Sequence, residues 1–241
     1  TRVDERTYSA IAALHNRGVF AAGAVLVGSH AYGVLLNRLG VAGPRYGTDD
    51  LDLARATALS LDAPLVLLDV LRESGLALFE VPQLDRKAPP TSYKVSGRGG
   101  FHVDLLAPSR DGRYPIVAVP ELHAHAAGLP LLGYLLAESQ PGMVMTRAGL
   151  CAVRVPLPER FAVHKMLVSR MRSNRSTKSR KDLEQAVTLA AVLGDQHGGA
   201  LAEAVAAVPK RAAKLLRAAL SDAARLLAEA APRAWAELTG S

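Results

Sequence analysis

Two aspartates, Asp50 and Asp52, lie two positions apart within residues 48–53, whose sequence is TDDLDL. Asp is uncommon in strands, yet here it alternates with Leu51 and Leu53, as expected of a half-buried strand. Residues at i and i+2 of a strand point to the same face, about 7 Å apart. Like charges so placed repel each other unless a cation lies between them, and carboxylate oxygens suit Mg²⁺ or Mn²⁺. A solvated edge strand is the alternative interpretation of this segment.

A third carboxylate lies inside an apolar segment. Residues 101–106 have the sequence FHVDLL, so Asp104 interrupts an otherwise hydrophobic strand. A buried carboxylate without a partner is costly, and Asp104 therefore needs a hydrogen bond, a cation or a metal ion. His102 shares a face with Asp104 by strand alternation. A His102–Asp104 pair is accordingly the alternative to a metal site.

A glycine and a serine follow the apolar run at residues 24–27 and precede a helical pattern at residues 29–39. Gly28 allows a ligand to approach the backbone closely. Ser29 offers a hydroxyl beside the N–H groups of the first helical turn, which together predict a phosphate site. The alternative is an ordinary turn in which Ser29 caps the helix.

The order of these three segments along the chain resembles the nucleotidyltransferase superfamily with the DNA polymerase β-like core. That superfamily has a Gly-Ser helix start, then an Asp-hydrophobic-Asp strand, then a third carboxylate on a neighbouring strand. A closer resemblance is to bacterial stand-alone nucleotidyltransferase-like proteins of poorly defined function. The shared segments are VGSHA at residues 27–31, LNRLG at 36–40, PLPERFAVHK at 156–165 and KDL at 181–183.

The resemblance implies an α/β fold, with a polymerase β-like core built on a mixed sheet and a C-terminal helical domain. It implies that Gly28 and Ser29 hold the triphosphate of an NTP. Asp50 and Asp52 would bind two metal ions, and Asp104 would complete the second metal site and help activate an attacking hydroxyl. The implied reaction transfers NMP to an acceptor hydroxyl on RNA, such as tRNA, on a protein or on a small molecule. On this basis Gly28→Val should weaken NTP binding with little loss of melting temperature.

Basic residues in the C-terminal part could neutralise a triphosphate, which needs cations beyond the metal ions. Lys165 and Lys181 lie in segments that carry the resemblance, so we expect both to bind nucleotide. Asp182 is expected to be a helix cap or an ion-pair partner. Arg45 and Tyr46 could reach a base or phosphate, or could only close their loop. A solvated basic loop is the alternative for the cations that cluster here, Arg170, Arg172, Arg175, Lys178, Arg180 and Lys181.

Local patterns predict the elements that must position these residues. We expect strands at residues 24–27, 51–53, 76–81, 93–96 and 101–106, the last two joined by a tight turn at 97–100. We expect helices at residues 3–17, 29–39, 64–74, 158–172 and 180–193, then an Ala-rich helical tail broken near 198–199 and 209. A composition shift near residue 156 predicts a catalytic core with a β-rich extension at 1–156 and a helical domain at 157–241.

The amino-acid composition indicates which class of partner and which cellular compartment to expect. The net charge is +7 and the sequence pI about 9.8, which suits a polyanion such as RNA, DNA or an NTP. The single cysteine, Cys151, allows no internal disulfide and no zinc cluster. No apolar run approaches the ~18 residues that span a bilayer, and the first residues do not resemble a signal peptide. We therefore expect a cytoplasmic protein without a membrane partner.

Two rival functions follow from the same residues. The first is a non-catalytic module that binds nucleotide or nucleic acid on this fold, although such a module would not require three carboxylates. The second is a toxin-type nucleotidyltransferase that acts on tRNA or protein with the same chemistry. The nucleotide base, the acceptor and the oligomeric state are left open by the sequence, and basicity favours RNA as the acceptor.

Overall fold

The protein is described here by a computed structural model, which covers residues 3–44, 46–97, 100–110, 112–172 and 177–240. Its tertiary contacts group the chain into two units. The first unit contains Thr1–Leu35 and Gly47–Pro156, and the second contains Leu36–Tyr46 and Leu157–Ser241. The segment Leu36–Tyr46 thus belongs with the C-terminal helices, although it precedes most of the sheet in sequence.

The first unit is built on a seven-stranded mixed sheet. The strand order is β1-β2-β5-β4-β3, β7 also pairs with β5, and β6 pairs with β7. The β2–β5 and β5–β7 pairs are parallel and the others antiparallel, so the expected mixed sheet is confirmed. The strands are β1 (Val25–Leu26), β2 (Asp50–Ala54), β3 (Leu78–Glu80), β4 (Ser92–Val95), β5 (His102–Ser109), β6 (Ile116–Val119) and β7 (Ala124–Pro130).

Four α-helices, a 3₁₀ turn at Pro120–Leu122 and a separate hairpin complete the part of the first unit that the structure describes. Asp4 caps the first helix by accepting a 3.0 Å hydrogen bond from the Thr7 amide. The helix that follows β1 runs to Arg38 and so continues into the second unit. The elements are α1 (Glu5–Asn16), α2 (Gly28–Arg38), α3 (Leu67–Arg72), α4 (Leu132–Leu135) and the hairpin strands β8 (Ser139–Met145) and β9 (Leu150–Pro156).

The second unit is helical, as expected for the C-terminal part of the fold. Its first two helices, α5 and α6, pack against each other. Gly194 of α6 allows the backbone of α9 to approach closely, since a Cβ atom there would lie 2.5 Å from the Ala234 nitrogen. The helices are α5 (Pro158–Met171), α6 (Thr177–Gln196), α7 (Ala200–Ala206), α8 (Ala213–Leu227) and α9 (Pro232–Thr239), with a 3₁₀ turn at Lys210–Ala212.

Three helix boundaries differ from the sequence-based expectation. Helix α2 begins at Gly28, so Ser29 lies within the first turn and is not the residue before the helix. Helix α6 begins at Thr177 and not at residue 180, while residues 173–176 lie outside the described residues. The Ala-rich tail has a further break between α8 and α9, because a residue before proline, here Ala231, is disfavoured in helical geometry. No helix in the described part of the chain combines the length and apolarity needed to cross a membrane.

Candidate active site

The register of the parallel pair β2–β5 brings the predicted carboxylates together. Asp52 is the partner of Asp104 across this pair, and Asp50 is the partner of His102. Partners in a parallel pair point to the same face of the sheet, and adjacent strands lie about 4.8 Å apart. The sheet therefore places all three predicted carboxylates on one face, at neighbouring positions.

The opposite face of the same two strands is the core of the first unit. Leu51 and Leu53 on β2, and Val103 and Leu105 on β5, are at most 1% exposed. The acidic residues between them are half-buried. This alternation answers the question left open by the sequence, because a strand anchored by fully buried leucines in the middle of a sheet is not a solvated edge strand.

The Gly-Ser helix start lies beside Asp52. Strand β1 runs antiparallel to β2, and the Val27 amide donates to the Asp52 carbonyl oxygen at 3.0 Å. Gly28 follows with a φ of +66°, and a Cβ atom there would lie 1.9 Å from Asp52 Oδ2. Glycine is therefore required at this position by the backbone conformation and by Asp52 itself.

This contact changes what a substitution at Gly28 tests. A valine at position 28 would adopt an unfavourable φ and clash with the Asp52 carboxylate before any ligand is bound. The expectation that Gly28→Val spares the melting temperature is therefore wrong. The close approach also means that the glycine, the helix start and the carboxylate form one structural feature.

Asp104 has a hydrogen-bond partner that the sequence analysis missed. Ser92 of β4 lies opposite Asp104, and its hydroxyl donates to Asp104 Oδ1 at 2.5 Å. A tight turn at residues 97–100 would have placed Tyr93 opposite Asp104, so the actual register is shifted by one position. Turn length sets hairpin register, and residues 98–99 of this turn lie outside the described residues. Because the expected strand began at residue 93, Ser92 lay outside it, and no pattern in the sequence indicated this pair.

His102 pairs with Asp50 and not with Asp104. Its Nε2 atom lies 3.0 Å from Asp50 Oδ1, and its Nδ1 atom lies 2.8 Å from the Gly100 carbonyl oxygen. The β2–β5 register explains the choice, because it sets His102 opposite Asp50 while Asp104 is two residues further along the same strand. The alternative of a His102–Asp104 pair is therefore not observed, and the structure has two separate pairs, His102–Asp50 and Ser92–Asp104.

Lys165 and Lys181 occupy different environments within the second unit. Lys165 is 9% exposed, and its Nζ atom lies 2.5 Å from Asp182 Oδ1 and 5.5 Å from the centre of the Phe161 ring. Asp182, 2% exposed, also contacts Arg172 Nε at 2.9 Å. Asp182 is thus an ion-pair partner, one of its two expected roles. Lys181 is half-buried on α6, and the nucleotide-binding role of both lysines stays a prediction.

Tyr46 closes the loop that precedes the acidic pair. Its hydroxyl donates to Glu184 Oε2 at 3.1 Å, which holds the loop on α6 within the second unit. Arg180 Nε lies 3.1 Å from the other oxygen of the same carboxylate. Of the two roles considered for Tyr46, loop closure is the one its contact supports. Arg45 lies outside the described residues.

The segments that carry the helix start and the three carboxylates also match a known protein family. A family model described as "Nucleotidyltransferase" matches residues 5–209, which is most of the chain and includes every predicted site residue. The chain belongs to this nucleotidyltransferase family. The Gly28–Ser29 helix start, the acidic pair on β2 and Asp104 on β5 all lie within the matched segment.

The crystal structure of an antigenic nucleotidyltransferase-like protein from Paracoccidioides brasiliensis aligns with 91% of this chain and 94% of its own, at 16% identity and a TM-score of 0.45. A likeness of that size is too weak to carry an argument about substrate or mechanism. No curated protein sequence matches the chain.

The three predicted carboxylates are of the chemical type that binds a divalent cation. They are hard oxygen donors on one half-buried face, which is the donor set that Mg²⁺ and Mn²⁺ prefer. In the part of the chain that the structure describes, however, no group of three or more His, Cys, Asp or Glu residues is arranged to hold a metal ion. Asp50 contacts His102 and Asp104 contacts Ser92, so a cation would have to draw these carboxylates from their present partners.

Proposed function

We propose that this chain is a metal-dependent nucleotidyltransferase that transfers NMP from an NTP to an acceptor hydroxyl, with RNA as the acceptor. One observation carries the proposal: Asp52 lies in register with Asp104 and in contact distance of the Gly28 helix start, in a member of a nucleotidyltransferase family. A phosphate-binding helix end and acidic side chains at one place are what nucleotidyl transfer requires.

Each residue has a distinct proposed role. Asp50, Asp52 and Asp104 would hold Mg²⁺ or Mn²⁺, which when bound neutralises phosphate charge and lowers the pKa of the attacking hydroxyl. Ser29 and the first-turn N–H groups of α2 orient the triphosphate beside Asp52. Asp104, which Ser92 holds in place, accepts the proton of the attacking hydroxyl. The new bond joins the acceptor oxygen to the α-phosphorus, and the bond from that phosphorus to pyrophosphate breaks.

Lys165 and Lys181 are the proposed phosphate contacts of the second unit. For Lys165 this role requires that phosphate replace Asp182, a carboxylate that is almost completely buried. Arg172 would then remain as the partner of Asp182. Lys181 is half-buried and lies next to Asp182 in sequence, so it could contact phosphate without the loss of that ion pair.

Transfer assays with labelled NTPs test the proposal. The full chain is incubated with each of the four NTPs, with Mg²⁺ or Mn²⁺, and with total cellular RNA, and label is followed into RNA, protein and small molecules. Asp52→Asn should abolish incorporation, because it removes one negative charge where the cation and triphosphate meet. Asp62→Asn is the matched control, since Asp62 is exposed and lies outside the site. Full activity of Asp52→Asn would show that the site is wrongly assigned.

Cation binding can be measured separately from transfer. A ligand that binds only the folded state raises its stability by about 2.7 kcal/mol at a hundredfold excess over Kd. Mn²⁺ should therefore raise the melting temperature of the wild type and of Asp62→Asn, but not that of Asp52→Asn. An equal rise in all three proteins would place the cation elsewhere.

The second candidate function is a non-catalytic module that binds nucleotide. It is favoured by one observation, namely that Asp50 and Asp104 already have partners in His102 and Ser92. Under this alternative the chain would bind NTP without incorporating label from any of the four nucleotides. It would also bind NTP equally well with Mg²⁺ or with EDTA, whereas an active site should require the cation.

A further inference from the structure

A stretch of the second unit contains basic residues and no acidic ones. Between Glu203 and Asp222 the sequence includes no Asp or Glu. It includes two cations in the 3₁₀ turn before α8 and two within α8. We call these residues the α8 basic stripe, and its members are Lys210, Arg211, Lys214 and Arg217.

All four side chains of the stripe are exposed. Lys214 and Arg217 are three residues apart on the helix and so share one side of it. The buried side of α8 is a different one, formed by Leu216, Ala219, Ala223 and Leu227. The apolar side of the helix is thus used in the core of the second unit, while the stripe faces solvent.

The stripe differs in its ion pairs from the basic segment at residues 170–181, which the sequence also suggested as a phosphate contact. Arg170 lies 3.4 Å from Asp222, Arg172 lies 2.9 Å from Asp182, and Arg180 lies 3.1 Å from Glu184. By contrast, no ion pair joins any of the four stripe residues to the residues that the structure describes. The four stripe residues therefore carry positive charge that no described carboxylate compensates.

This arrangement opposes the stability of the helix that carries it. Like charges three or four positions apart on a helix repel by about 0.2–0.5 kcal/mol per pair. Cations near a helix N-terminus are also unfavourable, because the macrodipole is positive there, and the first turn of α8 contains no acidic residue. A polyanion that binds the stripe would relieve both sources of repulsion.

We infer that the α8 basic stripe binds the phosphodiester backbone of single-stranded RNA. Lys210 and Lys214 are four residues apart, a rise of about 6 Å if the helical path is continuous, so the cations can follow a chain of phosphates. No aromatic residue occurs between Glu203 and Asp222 to stack on bases, so the contact is to the backbone and is independent of sequence. The apolar side of α8 is buried in the protein, which disfavours insertion of this helix into a lipid surface.

The inference deepens the proposed function by naming the surface that holds an RNA acceptor. Binding to the stripe does not require transfer, so the two ideas can fail independently. Asp52→Asn should bind RNA as tightly as the wild type. If no transfer is found but the stripe binds RNA, then only the proposed function fails.

Fluorescence anisotropy with a labelled 20-nucleotide single-stranded RNA tests the stripe in the full chain. K214E/R217E should weaken binding by about tenfold or more at low salt, since two phosphate contacts are lost. Because each contact on a single strand contributes about −0.7 to the slope of log K against log salt, the magnitude of the slope should fall by about 1.4. The matched control is R86E/K87E, which makes the same change in net charge at exposed residues of the first unit.

Two further measurements keep the result interpretable. Thermal unfolding should show that K214E/R217E is at least as stable as the wild type, because the substitution removes repulsion and disturbs no buried residue. The neutral variant K214A/R217A should reproduce the loss of RNA affinity. Equal affinities of K214E/R217E and R86E/K87E would overturn the inference. Binding to vesicles that contain anionic lipid, without binding to RNA, would overturn it in favour of a membrane surface.

Discussion

At the scale of single residues, the candidate site depends on one contact between a glycine and a carboxylate. Gly28 is the first residue of α2, and Asp52 is the central residue of strand β2. Their contact joins the helix start proposed to bind phosphate to the carboxylates proposed to bind a cation. A substitution at either residue therefore disturbs the van der Waals packing of the other. The site is therefore more sensitive at Gly28 than a solvent-facing turn would be.

Gly28→Ala should destabilise the protein more than Gly18→Ala, which is its matched control. Both glycines have φ near +70°, but a Cβ atom at Gly18 meets nothing within 4 Å, whereas one at Gly28 lies 1.9 Å from Asp52 Oδ2. We expect a loss of about 1 kcal/mol for Gly18→Ala from backbone strain, and a further ~1–3 kcal/mol for Gly28→Ala from overpacking. Urea denaturation measures both losses.

A double-mutant cycle isolates the contact itself. In an Asp52→Ala background the clashing carboxylate is absent, so the cost of Gly28→Ala should fall to that of Gly18→Ala. If the cost of Gly28→Ala is the same in both backgrounds, then the backbone conformation alone requires glycine and the close approach to Asp52 has no energetic consequence.

At the scale of elements, helices α5 and α6 are joined by a buried charge cluster. Lys165 of α5 and Arg172 beyond its end both contact Asp182 of α6. Two cations around one nearly buried carboxylate compensate its loss of hydration, which an apolar neighbour could not do. The same two elements carry both lysines predicted to bind nucleotide, so their stability and their function have to be separated by experiment.

Lys165→Met should lower the free energy of unfolding by about 2–3 kcal/mol. This is less than the ~3–5 kcal/mol expected for an unpaired buried charge, because Arg172 still contacts Asp182. Lys181→Met is the control on the neighbouring helix, and we expect it to cost less than Lys165→Met, because Lys181 is half-buried whereas Lys165 is 9% exposed. Chemical denaturation at pH 7 compares the two variants, and equal losses would show that Lys165 does not hold α5 and α6 together.

At the scale of the whole molecule, the free energy of unfolding should depend on pH through a histidine that the candidate site does not use. Burial, together with the adjacent positive charge of Lys165, lowers the pKa of His164 to about 3. Its Nδ1 atom is buried and has no hydrogen-bond partner among the described residues. His164 is therefore neutral in the folded protein at physiological pH.

The sign of this pH dependence follows from proton binding. Below its ordinary pKa of about 6.5, His164 takes up a proton in the unfolded chain but not in the folded one until pH approaches 3. The protein should therefore lose stability as pH falls from 6.5 toward 3, by about 1.4 kcal/mol per pH unit from this residue. Above pH 6.5 the contribution is constant.

His164→Gln tests the pH dependence, because glutamine does not titrate and any packing cost is the same at every pH. The difference in unfolding free energy between wild type and variant should change by about 2 kcal/mol between pH 7 and pH 5, in favour of the variant at the lower pH. The six other histidines contribute equally to both proteins and cancel. A difference that is independent of pH would contradict the assignment.

The sequence by itself was sufficient to identify the acidic strand, the lone carboxylate and the glycine before a helix. Each of these depends on local spacing, and alternation or helical periodicity is visible in a window of a few residues. The mixed sheet, the C-terminal helices and the membership of a nucleotidyltransferase family agree with that analysis. Even the leucines that form the buried face of β2 follow from their alternation with Asp50 and Asp52.

The tertiary structure alone decided which side chains meet. His102 contacts Asp50 because of the parallel register of β2 and β5, and Ser92 contacts Asp104 because of the antiparallel register of β4 and β5. Lys165 contacts Asp182 because α5 and α6 pack together. Register and helix packing are set by the sum of many long-range contacts, and a change of one residue in register exchanges every partner. Local sequence contains no comparable signal for these pairings.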